Sequence, residues 1–216
     1  MILPLALALL AQDPADEARA ALGKLANRML AGKTLTADFT QTRRSALLEK
    51  PITSAGRLAY RRDPEALAFI LTEPARSEVR FEKACYTVYR PDEKQLERFE
   101  FEDETVLRGL FTAFNPDVER VRKFAAMKLA SKKDGVAHVV LEPTDDKARR
   151  LFKSITLSIV ERDGTLAGIS YTDADGDDVE FALSGMAIDA EVPPETFAPK
   201  LPEGVKTLVH KVKADK

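Results

Sequence analysis

Two hydrophobic periods divide the chain into one helical stretch and a long series of extended stretches. Between residues 14–31, apolar residues recur every three or four positions, which predicts an amphipathic helix. Asp13 and Pro14 are typical of a helix start, because Asp caps free backbone N–H groups and Pro suits the first turn. From Leu35 onward the apolar residues recur every second position, which predicts β-strands.

The period of two predicts ten or eleven antiparallel strands and a curled sheet. The extended runs lie around residues 34–40, 54–61, 67–72, 77–82, 85–90, 95–101, 127–131, 136–142, 155–159, 166–171 and 179–183. Turn signals such as Asp63-Pro64 and Asp175-Gly176 separate them. A sheet of this length must curl. The predicted fold class is therefore mainly β with helices, an incomplete antiparallel barrel.

Residues 104–126, here called the insert, interrupt the strands. Leu107, Leu110, Phe111 and Phe114 fall at helical spacing and predict a short helix, and a second one follows the break at Asn115-Pro116. With the N-terminal helix, the insert is predicted to cover the concave side of the barrel. Core packing would explain these four apolar side chains, and a lid over a cavity is the alternative that the residues leave open.

The first eleven residues are almost wholly apolar and are predicted to be a secretory signal peptide. The run is too short for a membrane-spanning helix, which needs about 20 residues. No basic residue precedes it, so an apolar N-terminus that stays attached is the alternative. Residues 12–216 contain no repeat or linker and are predicted to form a single domain, active as a monomer.

The composition favours a binding protein over an enzyme. The formal net charge is only −2 and both signs are scattered, so no nucleic-acid partner is expected. Cys85 is the only cysteine, and His138 and His210 lack metal-ligand spacing. There is no nucleophile elbow and no glycine-rich phosphate loop. We therefore predict no catalytic residues, no metal and no cofactor.

Several short motifs occur in the same order as in a known family of carriers. They are residues 39–42 (FTQT), 56–62 (GRLAYRR), 72–74 (TEP), 141–143 (LEP), 155–157 (ITL), 163–164 (DG) and 197–205 (FAPKLPEGV). Each motif alone is weak, but the colinear set behind an apolar leader is moderately specific. Through these motifs the chain resembles the outer-membrane lipoprotein carrier family over roughly residues 15–206.

The resemblance implies a periplasmic carrier that holds the acyl chains of lipoproteins in a hydrophobic cavity. It implies acylated lipoproteins as cargo, an inner-membrane lipoprotein-releasing transporter as donor and an outer-membrane acceptor. In that family an arginine at the end of the second strand bonds the lid backbone. Arg62 matches that position best, and Arg61 is the alternative because Asp63 separates Arg62 from Pro64.

Strand alternation predicts which side chains line the cavity, although a register slip of one residue would invert the set on any strand. The predicted lining residues are Phe39, Leu58, Tyr60, Phe69, Leu71, Val79, Phe81, Phe99, Leu157, Ile159 and Phe181.

Three other functions are compatible with this sequence. The same fold can serve as a lipid- or lipoprotein-sensing domain that regulates a membrane partner, or as a shuttle for glycolipids or other lipids. A lipid hydrolase is the enzymatic alternative, and it would rest on the apolar pocket alone.

Overall fold

The computed structural model of the chain describes residues 13–102, 111, 114–144, 146–150 and 152–212. The helices within these residues are α1 (Pro14–Leu30), α2 (Val118–Phe124) and α3 (Asp146–Arg149), with a 3₁₀ turn at Pro194–Thr196. The strands are β1 (Thr34–Arg44), β2 (Ile52–Arg61), β3 (Ala66–Glu73), β4 (Ser77–Glu82), β5 (Cys85–Arg90), β6 (Gln95–Phe101), β7 (Ala125–Lys133), β8 (Val136–Pro143), β9 (Phe152–Val160), β10 (Leu166–Asp173), β11 (Asp178–Ile188) and β12 (Lys206–Val212).

All twelve of these strands belong to one sheet, in the order β12-β6-β5-β4-β3-β2-β1-β11-β10-β9-β8-β7. Each neighbouring pair is antiparallel except β6 and β12, which run parallel. The sheet begins at β12 and ends at β7 without closing on itself. The predicted incomplete antiparallel barrel is therefore confirmed.

The sheet contains one strand more than the alternation predicted. β12 pairs with β6 from Lys206 opposite Gln95 to Val212 opposite Phe101. Most of its side chains are exposed, so its sequence carries no apolar face that would mark it as a strand. The strand is held by its backbone pairing with β6. Such pairing cannot be predicted from the alternation of apolar and polar side chains.

The helices begin where the sequence predicts. The carboxylate of Asp13 accepts a hydrogen bond from the backbone N of Ala15 (2.9 Å), and α1 buries Leu22 and Leu25 against the sheet. α2 follows the Asn115-Pro116 break. Most of the first half of the insert lies outside the described residues. Within the described residues, every helix is too short or too polar to cross a lipid bilayer.

The barrel has two different ends. At the end that we call the helix end, Lys24 of α1 donates to the carbonyl of Glu161 in the turn between β9 and β10 (2.7 Å). At the opposite end, which we call the distal end, lie the turns that join β1 to β2, β3 to β4 and β10 to β11. α1 therefore covers one end of the barrel.

The convex face of the sheet carries a separate small core. Phe197 is buried there together with the small residues Ala59, Ala66 and Ala68. Close by, Arg80 donates from Nε to the carbonyl of Thr196 (2.7 Å). These contacts hold the segment between β11 and β12 across the outer face, and so bring β12 to the edge of β6.

Gly56 of β2 provides a test of the strand pairing. An added Cβ at this position would clash with the carbonyl oxygen of Ile70 on β3 and lie 2.8 Å from the Cα of Leu71. We expect Gly56→Ala to lower the free energy of unfolding by about 1–3 kcal/mol, as overpacking does. Gly23 is the matched control, because nothing lies within 4 Å of its added Cβ and it sits inside α1.

Urea unfolding followed by circular dichroism measures both variants. Gly23→Ala should leave stability unchanged or raise it by up to about 1 kcal/mol, since Ala is the better helix former. Equal stability of Gly56→Ala and the unsubstituted protein would contradict the described contact between β2 and β3.

Candidate lipid-binding face

The pairing of the strands places the eleven predicted lining residues on one face of the sheet, the inner face. Leu58 pairs with Phe69, which in turn pairs with Val79. On the other side of the barrel, Ile169 pairs with Leu157 on one neighbouring strand and with Phe181 on the other. Residues that pair directly point to the same side of a sheet. The remaining members of the set share this register: Phe39, Tyr60, Leu71, Phe81, Phe99 and Ile159.

On β2 and β9, burial along the inner face falls from the helix end towards the distal end. On β2, the exposed fraction rises from 2% at Tyr60 to 47% at Ile52. On β9, Ile159 is buried whereas Ile155 is half-buried. The inner face therefore reaches the protein surface at the distal end of β2, whereas Val179 on β11 remains buried near that end.

A continuous strip of aromatic rings crosses the inner face away from α1. Neighbouring ring centroids lie 4.5–6.2 Å apart along the series Phe181, Phe39, Phe69, Phe81, Tyr86, Phe99 and His210. Apart from Phe39, which is buried, and His210, which is exposed, these rings are half-buried. This aromatic strip includes two residues that were not predicted. Tyr86 could have been found from its alternation with Val88, whereas His210 lies on the unexpected strand β12.

Two phenylalanines of the insert cover the helix end of the inner face. Phe114 stacks on Tyr60 with the ring centroids 5.7 Å apart, and Phe111 lies 6.4 Å from the same ring. Both phenylalanines are buried. The other two predicted lid residues, Leu107 and Leu110, lie outside the described residues.

A carboxylate between the sheet and the insert adds polar contacts to this stacking. Tyr60 donates its hydroxyl to Glu65 Oε1 (2.9 Å), and the Asn115 amide donates to the same oxygen (3.4 Å). Burial, and then the bond to Glu65, raise the pKa of Tyr60. The sequence identified Asn115 only as a helix break and gave no signal for Glu65, because their proximity depends on how the insert folds back.

Arg61 and Arg62 lie on different sides of the sheet. Arg62 donates to the carbonyl oxygens of Met29 and of Leu30 (3.4 Å to the latter), at the C-terminal end of α1. Such a cation satisfies free helix carbonyls and complements the helix dipole. Arg61 donates to the carbonyl of Pro64 (3.0 Å), and its guanidinium lies over the ring of Phe197 on the outer face. A latch between Arg62 and the insert backbone stays a prediction.

Two ion pairs lie towards the distal end of the inner face. Arg43 of β1 contacts Asp177 (2.6 Å), and Arg90 contacts Glu97 (2.5 Å). The hydrogen bond from Arg90 is the main reason that the pKa of Glu97 is lowered. Among the described residues, no group of three His, Cys, Asp or Glu could hold a metal ion. The arrangement favours binding of an apolar chain whose polar end remains near the distal end.

Comparison with known proteins relates this geometry to a family. Residues 31–200 match the family model described as outer membrane lipoprotein carrier protein LolA. No curated protein sequence matches the chain significantly.

Solved structures share the fold at low sequence identity. An uncharacterized conserved protein from Thermus thermophilus has a TM-score of 0.57 and 8% identity, over 90% of this chain and 99% of that one. MucB has a TM-score of 0.52 and 12% identity, over 89% of this chain and 65% of that one. At these identities the likeness concerns the fold alone.

The contacts of Glu65 lead to a prediction about the insert. We expect Glu65→Ala to loosen the insert, because Tyr60 and Asn115 both lose their acceptor, and to expose part of the inner face. Fluorescence of an environment-sensitive hydrophobic dye should then increase while the far-ultraviolet circular dichroism stays unchanged.

Glu119→Ala on α2 is the matched control for this experiment. Its carboxylate is exposed and contacts only Arg122 among the described residues (3.3 Å), so its removal should leave dye fluorescence at the level of the unsubstituted protein. Equal dye fluorescence in all three proteins would show that Glu65 does not hold the insert in place.

Proposed function

This chain belongs to the outer membrane lipoprotein carrier protein family, and we propose that it carries the acyl chains of lipoproteins through the periplasm. The observation that best supports this proposal is the aromatic strip, which is mostly half-buried and crosses the inner face from β11 to β12. A surface of this kind gains free energy when a hydrocarbon chain displaces water from it.

The free energy gained by burying acyl chains must be partly offset by a cost within the protein. Each buried methylene contributes roughly 0.8 kcal/mol, so a chain of about 16 carbons would gain on the order of 12 kcal/mol if it were fully buried. Three such chains would exceed the practical ceiling for non-covalent affinity, near 20 kcal/mol. A carrier that bound its cargo so tightly would not release it.

In our proposal this cost is the displacement of the insert from the inner face. In the empty protein Phe111 and Phe114 occupy the helix end of the inner face against Tyr60, and entering chains displace them. The net affinity is then the difference between two similar burials, which allows transfer to a tighter acceptor. Binding and release need no nucleotide and no catalytic group on this chain.

The cellular route follows from the same proposal. Residues 1–11 act as the export signal, an inner-membrane transporter delivers lipoproteins, and an outer-membrane acceptor receives them. The cargo is a set of acyl chains attached to a protein, and nucleic acid has no part in it.

Displacement of a fluorescent fatty acid tests acyl binding. We expect a synthetic acylated lipopeptide to displace the probe from the purified protein, and the same peptide without acyl chains to leave it bound. Failure of every acylated competitor would remove the proposal. Preferential binding of a glycolipid would instead favour the lipid shuttle, and recovery of a lipid-dependent protein complex would favour the sensor.

Two adjacent residues on opposite faces of β3 localise the binding site. Phe69→Glu places a carboxylate in the aromatic strip and should weaken probe binding at least about tenfold, since burial of an unpaired charge is costly. Ile70→Glu makes the same kind of change on the outer face, where Ile70 packs near Phe197, and should leave probe affinity unchanged. Melting curves of both variants establish that each is folded, and equal losses of affinity would place the site elsewhere.

A further inference from the structure

The turn between β1 and β2 exposes large apolar side chains at the distal end. Leu47 is 94% exposed and Leu48 39% exposed, and Ile52 follows at the start of β2. We call residues 46–52 the distal tip. A single exposed leucine on a protein surface is ordinary, but adjacent ones on a protruding turn indicate a contact with something apolar.

The base of the distal tip is fixed by contacts to neighbouring residues. Arg43 contacts Asp177, the residue before the neighbouring strand β11 (2.6 Å). Within the turn, the backbone N–H of Leu47 donates to the hydroxyl oxygen of Ser45 (3.3 Å). The backbone N–H of Leu48 donates to the carbonyl oxygen of the same serine (3.1 Å). These bonds hold the turn in a defined conformation in which Leu47 points away from the protein.

The distal tip lies beside the opening of the inner face. Ile52 is an even number of residues from Leu58 and Tyr60 on β2, so it faces the same side of the sheet. It therefore continues the inner face to the surface. Burial along β2 decreases in the same direction. Whatever binds Leu47 and Leu48 is therefore brought next to the place where a hydrocarbon chain would enter or leave.

We infer that the distal tip inserts into the surface of a lipid bilayer and so docks the open end of the barrel against it. The tip is a convex protrusion with two leading side chains, whereas a stable protein interface buries about 800 Å² on each partner. A bilayer deforms around such a protrusion, and apolar side chains inserted at its surface gain free energy.

Charges of both signs surround the distal tip. Arg44, which contacts Glu180 (3.5 Å), and Lys50 flank the leucines, with Glu49 as the acidic residue of the turn. Cationic side chains at this level attract lipid phosphates. The acidic residues Asp173 and Asp175 on the neighbouring turn oppose that attraction, so leucine insertion dominates and anionic lipid adds only a modest gain.

This inference goes beyond the proposed function, because a carrier can receive its cargo from proteins alone. Its test is flotation of the full chain with phosphatidylcholine vesicles, and with vesicles of equal parts phosphatidylcholine and phosphatidylglycerol. We expect the double substitution Leu47→Glu and Leu48→Glu to reduce the vesicle-bound fraction on the order of tenfold, in both kinds of vesicle.

Leu201→Glu is the matched control, because Leu201 is also exposed (37%) but lies in the segment before β12. It should float like the unsubstituted protein, and all variants carry the same N-terminus. Equal flotation of the double variant and the unsubstituted protein would overturn the inference. Loss of a self-association in sedimentation, without any vesicle binding, would overturn it in favour of a second copy of the chain.

A solution assay separates this inference from the proposed function. The double variant should take up a fluorescent fatty acid from solution as well as the unsubstituted protein does, but should extract it from vesicles on the order of tenfold more slowly. Normal uptake from solution together with normal extraction would reject the docking role of the tip and leave the carrier proposal intact.

Discussion

The packing of Phe111 and Phe114 on Tyr60 is the contact on which the account of this protein depends. A curled sheet with one apolar face must cover that face, or its exposed apolar area promotes association. Here α1 covers the sheet from the helix end, and the two phenylalanines extend the cover over β2. The aromatic strip beside them is mostly half-buried and crosses the sheet from β11 to β12. A cover made of side chains on a separate segment can be exchanged for cargo, whereas a core made of strand side chains cannot.

The two faces of the sheet are used differently, and adjacent residues show the division. On β3, Phe69 belongs to the aromatic strip and Ile70 to the small core beneath Phe197. At the end of β2, Arg62 binds the end of α1 and Arg61 stacks on Phe197. The outer face thus anchors the segment that leads to β12, whereas the inner face packs against α1 and the two phenylalanines of the insert. The segment between β11 and β12 therefore does not compete with them for the inner face.

The alternation of residues predicted most of this fold, because each strand of an antiparallel sheet with one buried face carries its own signal. Alternation alone predicts Phe39, Phe69 and Phe181 on the inner face, and their ring centroids lie 5.5–5.9 Å from one another. β12 was missed because its side chains are exposed and only its backbone pairing makes it a strand. Glu65 was missed because its acceptor role arises from a contact between segments 50 residues apart.

The proposal that this cover is exchanged for cargo is tested most directly by hydrogen–deuterium exchange with and without a bound acyl chain. The backbone N–H groups of Phe114 and Asn115 donate to the carbonyl of Phe111, at 2.9 and 2.8 Å. If the insert gives way to cargo, these amides should exchange faster in the lipid-loaded protein, while the central pair β1 and β2 keeps its protection. Unchanged or slower exchange at Phe114 and Asn115, with an acyl chain bound at the inner face, would contradict the account.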